Sequence, residues 1–90
     1  ILQAVGIRVE VERMLATGRI DLVAWISRYI YVIELKLSNN GGLAAAERQI
    51  RDSGYTEPFK ADKRKVVGLA VELDSEGKGL VDWKVVDEIR

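Results

Sequence analysis

The chain has 90 residues, of which 48% are hydrophobic and 31% charged, a composition typical of one soluble globular domain spanning residues 1–90. Because it has neither cysteine nor histidine, disulfides and the usual zinc ligands are excluded, and any metal must be held by oxygen, as Mg²⁺, Mn²⁺ and Ca²⁺ are. Its 14 basic and 14 acidic residues balance, so the net charge does not indicate a nucleic-acid partner.

The chain begins with the pattern of a β-hairpin. Residues 7–12 alternate between apolar and charged side chains, which is typical of a half-buried strand with Val9 and Val11 on its apolar face. A turn over residues 16–18 ends in Gly18, which we expect to have a positive φ, and a second strand covers residues 19–26. Strict alternation in this second strand places Ile20, Leu22 and Ala24 on one face and Asp21, Val23 and Trp25 on the other.

The third strand, residues 30–37, is apolar except for two charged side chains. Glu34 and Lys36 project to the same face, while Leu35 and Leu37 point to the other. A strand hydrophobic enough to be buried on both faces rarely places two charges on one face without a use for them. The alternative is a cross-strand ion pair on a solvated face, or a charged pair at the end of the strand.

The turn before this strand sets the register with the second strand. A tight hairpin centred between Ser27 and Arg28 places Asp21 directly opposite Glu34, with Cβ atoms roughly 4.5 to 5.5 Å apart. Two carboxylates so close repel each other unless a cation lies between them. Lys36 can neutralise them in part, and a divalent metal held by oxygen does so better. The sequence therefore predicts an acidic, cation-binding site across these two strands.

The second half of the chain predicts a helix followed by two strands. Residues 43–53 form the helix, with Leu43, Ala46 and Ile50 as its buried stripe, Gln49 beside it and Gly54 as its stop. Residues 60–65 carry a basic cluster, which we interpret as a solvated loop. Strands follow over residues 65–73 and 79–86. A strand–helix–strand crossover makes the third and fourth strands parallel, so we predict a mixed α/β sheet in the order 1-2-3-4-5 with one main crossover helix.

These residues resemble a known family. Asp21 followed by Glu34-Leu35-Lys36 is similar to the D…ExK signature of the PD-(D/E)XK nuclease superfamily, whose core is a restriction-endonuclease-like mixed sheet. The flanking segments are similar to the nuclease-like domain found C-terminal to AAA-ATPase-like regions in bacterial proteins, with a similarity running from Val9 to Glu88. These segments are Gly18–Val23, Tyr29–Lys36, Gln49-Ile50, Gly54-Tyr55 and Asp82–Lys84.

The resemblance implies a role for each matching residue. Asp21, Glu34 and the backbone carbonyl of Leu35 correspond to ligands of Mg²⁺ or Mn²⁺, Lys36 to the lysine that orients the attacking water or stabilises phosphate charge, and Gln49 to a helix glutamine that accompanies the motif. The implied function is a metal-dependent nuclease that hydrolyses DNA phosphodiester bonds. Gln49 also reads as an ordinary surface amide. Tyr29, Tyr31 and Trp83 read as packing residues rather than base-stacking ones.

One departure from the family pattern concerns the N-terminus. The superfamily usually precedes the first strand with a helix bearing an acidic residue, and residues 1–6 are too few to form it. Glu10 or Glu12 could supply the acid, and a second copy of the chain could cover the sheet face left open, which gives a homodimer.

Two alternatives to a nuclease follow. The first is a catalytically silent binding or dimerisation module attached to an ATPase, and the second is a structural α/β domain with a surface ion-pair cluster. Because the first residue is Ile1 rather than Met, we read the chain as part of a longer protein. No run is apolar enough to span a membrane, and no segment resembles a signal peptide, so the expected compartment is the cytoplasm.

Overall fold

Five strands form one mixed sheet, and their order across the sheet is the predicted one, the same as their order in the chain. The structure is a computed structural model that describes residues 7–15, 18–76 and 78–89, so the predicted turn residues 16 and 17 and the question of a helix over residues 1–6 lie outside the described residues. The strands and the main helix are β1 (Ile7–Leu15), β2 (Gly18–Ile26), β3 (Tyr29–Leu37), α1 (Gly42–Ser53), β4 (Lys65–Leu73) and β5 (Leu80–Ile89).

The strand directions confirm the crossover prediction. β3 and β4 are parallel, with α1 between them in the chain, and the pairs β1–β2, β2–β3 and β4–β5 are antiparallel. Two short 3₁₀ helices, Ser38–Asn40 and Glu57–Phe59, flank α1 and were not predicted. β5 begins one residue later than predicted and continues to Ile89. Within the described residues, no helix combines the length and the apolar character needed to cross a membrane.

The core lies between α1 and one face of the sheet. Ala46 and Ile50 are buried and Leu43 packs against them, as the predicted helical stripe requires. Gly54 ends the helix with a φ of 60°, and its N–H donates to the carbonyl groups of the last turn. On the sheet, the residues facing α1 include Val23, Ile30, Val32, Val66 and Ala70.

The opposite face of the sheet is apolar and partly exposed. Val9, Leu35, Leu37, Trp83 and Val85 are 37–57% exposed on strands where the alternate residues face the helix. The prediction that β3 is buried on both faces is therefore correct only for the face toward α1. The apolar face predicted for the first strand is part of this open face, where Val9 is 40% and Val11 63% exposed.

The strict alternation predicted for β2 holds from Leu22 to Ile26 and fails at Ile20. Ile20 and Val23 are both fully buried in the same core cluster, although three positions apart should place them on opposite faces. The ladder between β1 and β2 pairs Val11 with Leu22 and Arg13 with Ile20, and Glu12 and Asp21 between them are unpaired. Glu12 has a φ of 57°. Each strand therefore changes face at this break, which lies directly beside the predicted site.

Candidate metal and phosphate site

The predicted hairpin register places the two acidic side chains as expected. The β2–β3 ladder runs from Ile26–Tyr29 to Leu22–Ile33, and the next positions in that register are Asp21 and Glu34. Both residues line a surface groove of about 630 Å³, together with Leu35, Lys36 and Gln49. The structure thus brings all five predicted site residues to one groove between β2, the end of β3 and α1.

Asp21 is held in place by the backbone of β3. Its Oδ2 accepts a hydrogen bond from the N–H of Leu35 at 2.9 Å. Because the backbone ladder between these strands ends at Leu22 and Ile33, the carboxylate takes the place of a backbone acceptor for Leu35. One oxygen of Asp21 is therefore engaged in fixing the strand end, and the carboxyl group is kept close to Glu34.

Glu34 is a buried acid with incomplete hydrogen bonding. Its side chain is 2% exposed, its Oε2 lies 3.9 Å from Nζ of Lys36, and its Oε1 has no hydrogen-bond partner among the described residues. Burial, followed by the negative charge of Asp21, raises the pKa of Glu34 from 4.5 to about 7, and the positive charge of Lys36 opposes this rise. Burying an acid without a full set of hydrogen bonds destabilises the folded state, and such groups are concentrated at functional sites.

The side chain of Gln49 is held by Tyr55. In the sequence, Tyr55 was noted only as part of a segment that resembles the nuclease family. Nε2 of Gln49 donates to the hydroxyl of Tyr55 at 3.0 Å, and Tyr55 is 1% exposed. The hydroxyl lies against Gly18, where an added Cβ would be 2.6 Å from it, so any side chain at position 18 would force Tyr55 to move. The predicted turn glycine therefore also makes room for the residue that orients Gln49.

The oxygen atoms of the groove suit a hard divalent cation. Two carboxylates meet there, and Oε1 of buried Glu34, which has no hydrogen-bond partner in the described part of the chain, is an acceptor that a cation would satisfy. No group of three or more acidic side chains positioned for a metal occurs among residues 7–15, 18–76 and 78–89. Mg²⁺ is compatible with this set, since it is commonly held by one or two carboxylates together with water and substrate phosphates.

The two glutamates of β1 are engaged elsewhere. Glu10 lies 3.3 Å from Arg13 and 3.5 Å from Arg8, and Glu12 lies 3.0 Å from Arg19. Neither glutamate lines the groove. The arrangement gives no support to either as the substitute for the family's additional acidic residue.

The other residues singled out in the sequence lie away from the groove. Lys65 begins β4 beside Tyr29, at the sheet end opposite to Lys36, so the basic cluster is not continuous with the acidic site. Tyr29 and Tyr31 stack on each other with ring centroids 5.7 Å apart. Trp83 is 57% exposed on the open face. These positions agree with packing roles for the two tyrosines.

The fold and the D…ExK arrangement together define a nuclease-like domain of the restriction-endonuclease type. A sequence model of the PD-(D/E)XK nuclease superfamily matches residues 1–83, and the chain belongs to this superfamily. Among curated proteins, an uncharacterised protein encoded in the vnfD 5′ region of Azotobacter chroococcum mcd 1 is 27% identical over 82 residues. The match covers 91% of this chain and 16% of that protein's length. No solved structure matches the chain significantly.

Proposed function

We propose that the chain is a metal-dependent nuclease domain that hydrolyses the phosphodiester bonds of DNA. The observation that carries the proposal is the buried Glu34, which lies beside Asp21 and Lys36 in one groove and has one oxygen without a partner among residues 7–15, 18–76 and 78–89. Membership of the superfamily supports a nucleic-acid substrate and a divalent metal. The choice of DNA and of Mg²⁺ or Mn²⁺ belongs to the proposal.

Each groove residue has a role that suits this chemistry. Asp21 and Glu34 would hold the metal, with the carbonyl of Leu35 as a further ligand. The metal, when bound, supplies an activated water and positive charge near the phosphate. Lys36 stabilises the negative charge that develops on the phosphate, or orients the attacking water, and lies close enough to Glu34 to neutralise part of its charge. Gln49 presents an amide to the groove that is suited to hydrogen-bond the water or a phosphate oxygen.

Plasmid cleavage in the presence of Mg²⁺ or Mn²⁺ tests the proposal. Asp21→Ala and Lys36→Ala should each abolish cleavage, because one removes a metal ligand and the other a phosphate-stabilising charge. Asp52→Ala and Lys63→Ala are matched controls, since both are exposed and neither lines the groove. Undiminished cleavage by either groove variant would reject the assignment.

A second candidate function is a catalytically silent dimerisation module. It is favoured by the open apolar face of the sheet, which five strands of about nine residues make roughly 24 by 30 Å, or about 700 Å². This is comparable to the area of about 800 Å² that each partner buries in a stable complex. A second copy of the chain is the proposed occupant, because the exposed apolar side chains of this face are best covered by another apolar face.

Calorimetry and sedimentation separate the two candidates. A silent module should bind no Mn²⁺ at millimolar concentration and should sediment as a dimer that Trp83→Ser weakens. Mn²⁺ binding that Asp21→Ala removes would favour the nuclease. An ATPase-like domain elsewhere in the parent protein, which the family resemblance implies, stays a prediction.

A further inference from the structure

Helix α1 begins without a cap of its own. The residue before it is Gly41, which has no side chain to accept a hydrogen bond, and the first turn contains no acidic residue. The first N–H groups of a helix have no partner within the helix, and its N-terminus carries a partial positive charge. An acceptor with negative charge must therefore come from elsewhere in the chain if this end of α1 is to be stabilised.

Glu72 of β4 provides that acceptor. Its Oε1 accepts a hydrogen bond from the N–H of Leu43 at 3.1 Å, and its Oε2 accepts one from the hydroxyl of Ser38 at 2.6 Å. The carboxylate lies so close to Gly42 that an added Cβ there would be 2.7 Å from Oε1. The side chain of Glu72, near the C-terminal end of β4, therefore connects this strand to the first turn of α1 and to the segment after β3.

These contacts connect Glu72 to the proposed metal and phosphate site. In the parallel ladder Glu72 is opposite Lys36, and Ala70 is opposite Glu34. Gln49 lies on α1 six residues after Leu43, and it faces the same groove as Lys36. Because a helix moves as a rigid rod, the anchor at its first turn also sets the distance between Gln49 and the strand residues.

The hydrogen bonds also show what Glu72 does not do. Both of its carboxylate oxygens already accept hydrogen bonds, and Glu72 does not line the groove, so it is not a third metal ligand. We propose that Glu72 is a positioning residue, which caps α1 from β4 and thereby holds Gln49 at its working distance from Glu34 and Lys36. The effect of Glu72 on cleavage rests on the proposed nuclease function, whereas its positioning of α1 and Gln49 does not.

A double-mutant cycle tests the link to cleavage. If Glu72 acts through Gln49, then Glu72→Ala should lower kcat with little change in KM, and the double variant should be no slower than Gln49→Ala alone. Glu72→Gln keeps an acceptor for the Leu43 N–H and should restore most of kcat. Glu47→Ala is the matched control, because Glu47 also joins α1 to a strand, through Lys84, but away from the first turn. Independent, additive losses from the Glu72 and Gln49 substitutions would overturn the proposal.

Nuclear magnetic resonance tests the geometry without relying on activity. Glu72→Ala should lower the hydrogen-exchange protection of the first amides of α1 by about five- to thirtyfold, as expected for a lost cap. It should also shift the side-chain amide resonances of Gln49, while Mn²⁺ affinity stays unchanged. If the wild-type protein does not cleave DNA, the proposed function fails and the positioning role is still decided here. Unchanged Gln49 resonances and protection would overturn it.

Discussion

Glu34→Gln tests whether the groove contains a carboxylate that folding destabilises. The pKa of Glu34 is raised from 4.5 to about 7, so between these pH values the folded chain keeps a proton that the unfolded chain has released. The free energy of unfolding therefore falls as pH rises through this window, by about 1.4 kcal/mol per pH unit and about 3 kcal/mol in total. A glutamine at this position cannot ionise, so the variant should lack the effect.

Urea unfolding of both proteins at pH 4.5 and pH 8 measures the difference. We expect the variant to be more stable than the wild type at pH 8, by up to about 3 kcal/mol, and to differ little at pH 4.5. Glu47→Gln is the control, because the effect of Glu47 on the free energy of unfolding changes with pH in the opposite direction. Hydrogen bonds from Lys84 and then Arg51 lower the pKa of Glu47, so its contribution is present at neutral pH and lost in acid. A stability difference for Glu34→Gln that is small and independent of pH would refute the reasoning and favour a surface ion-pair cluster.

Three further predictions concern the groove. Mn²⁺ affinity measured by calorimetry should rise between pH 6 and pH 8, because Glu34 must lose its proton to become a ligand, and a flat profile would contradict its role. Tyr55→Phe removes the hydroxyl that Gln49 contacts and should lower the free energy of unfolding by about 1 kcal/mol in denaturant titrations, whereas an unchanged value would show that this hydrogen bond is not stabilising. Gly18→Ala places a methyl group against the Tyr55 hydroxyl and should destabilise the protein by about 1–3 kcal/mol, so an unaltered melting temperature would contradict the observed contact.

The features that the sequence predicted well depend on local patterns. The register between β2 and β3 follows from the position of the turn at Ser27–Arg28, because side chains alternate strictly from that point as far as Leu22. The helix over residues 43–53 follows from its apolar stripe and from Gly54, and the fold class follows from the strand–helix–strand order. All of these depend on residues that are close together in the sequence.

The features that the sequence did not predict depend on contacts between distant segments. Nothing near Glu72 indicates that it caps a helix that begins thirty positions earlier, apart from its being the single acidic residue in an apolar strand. The side-chain partner of Gln49 was not predicted either, because Tyr55 lies beyond the helix end and reaches back to it. The exposure of Val9 and Val11 was not predicted either, because alternation alone does not show which face of a strand packs against the helix.

The break in the β1–β2 ladder explains how a buried core and an acidic site coexist on one strand. Strict alternation in β2 would keep Asp21 on the helix side with Val23 and beside Glu34, but it would turn Ile20 away from the core. The observed burial of Ile20 in the same cluster as Val23 requires the strand to change face beside Asp21. Local breaks and bulges of this kind re-aim side chains next to active sites. The positive φ of Glu12 on the opposite strand lets both strands change face together, so the pairing beyond the break keeps its register. The break in the β1–β2 ladder, which strict alternation does not predict, therefore lets Ile20 complete the core beneath the groove while Asp21 stays beside Glu34.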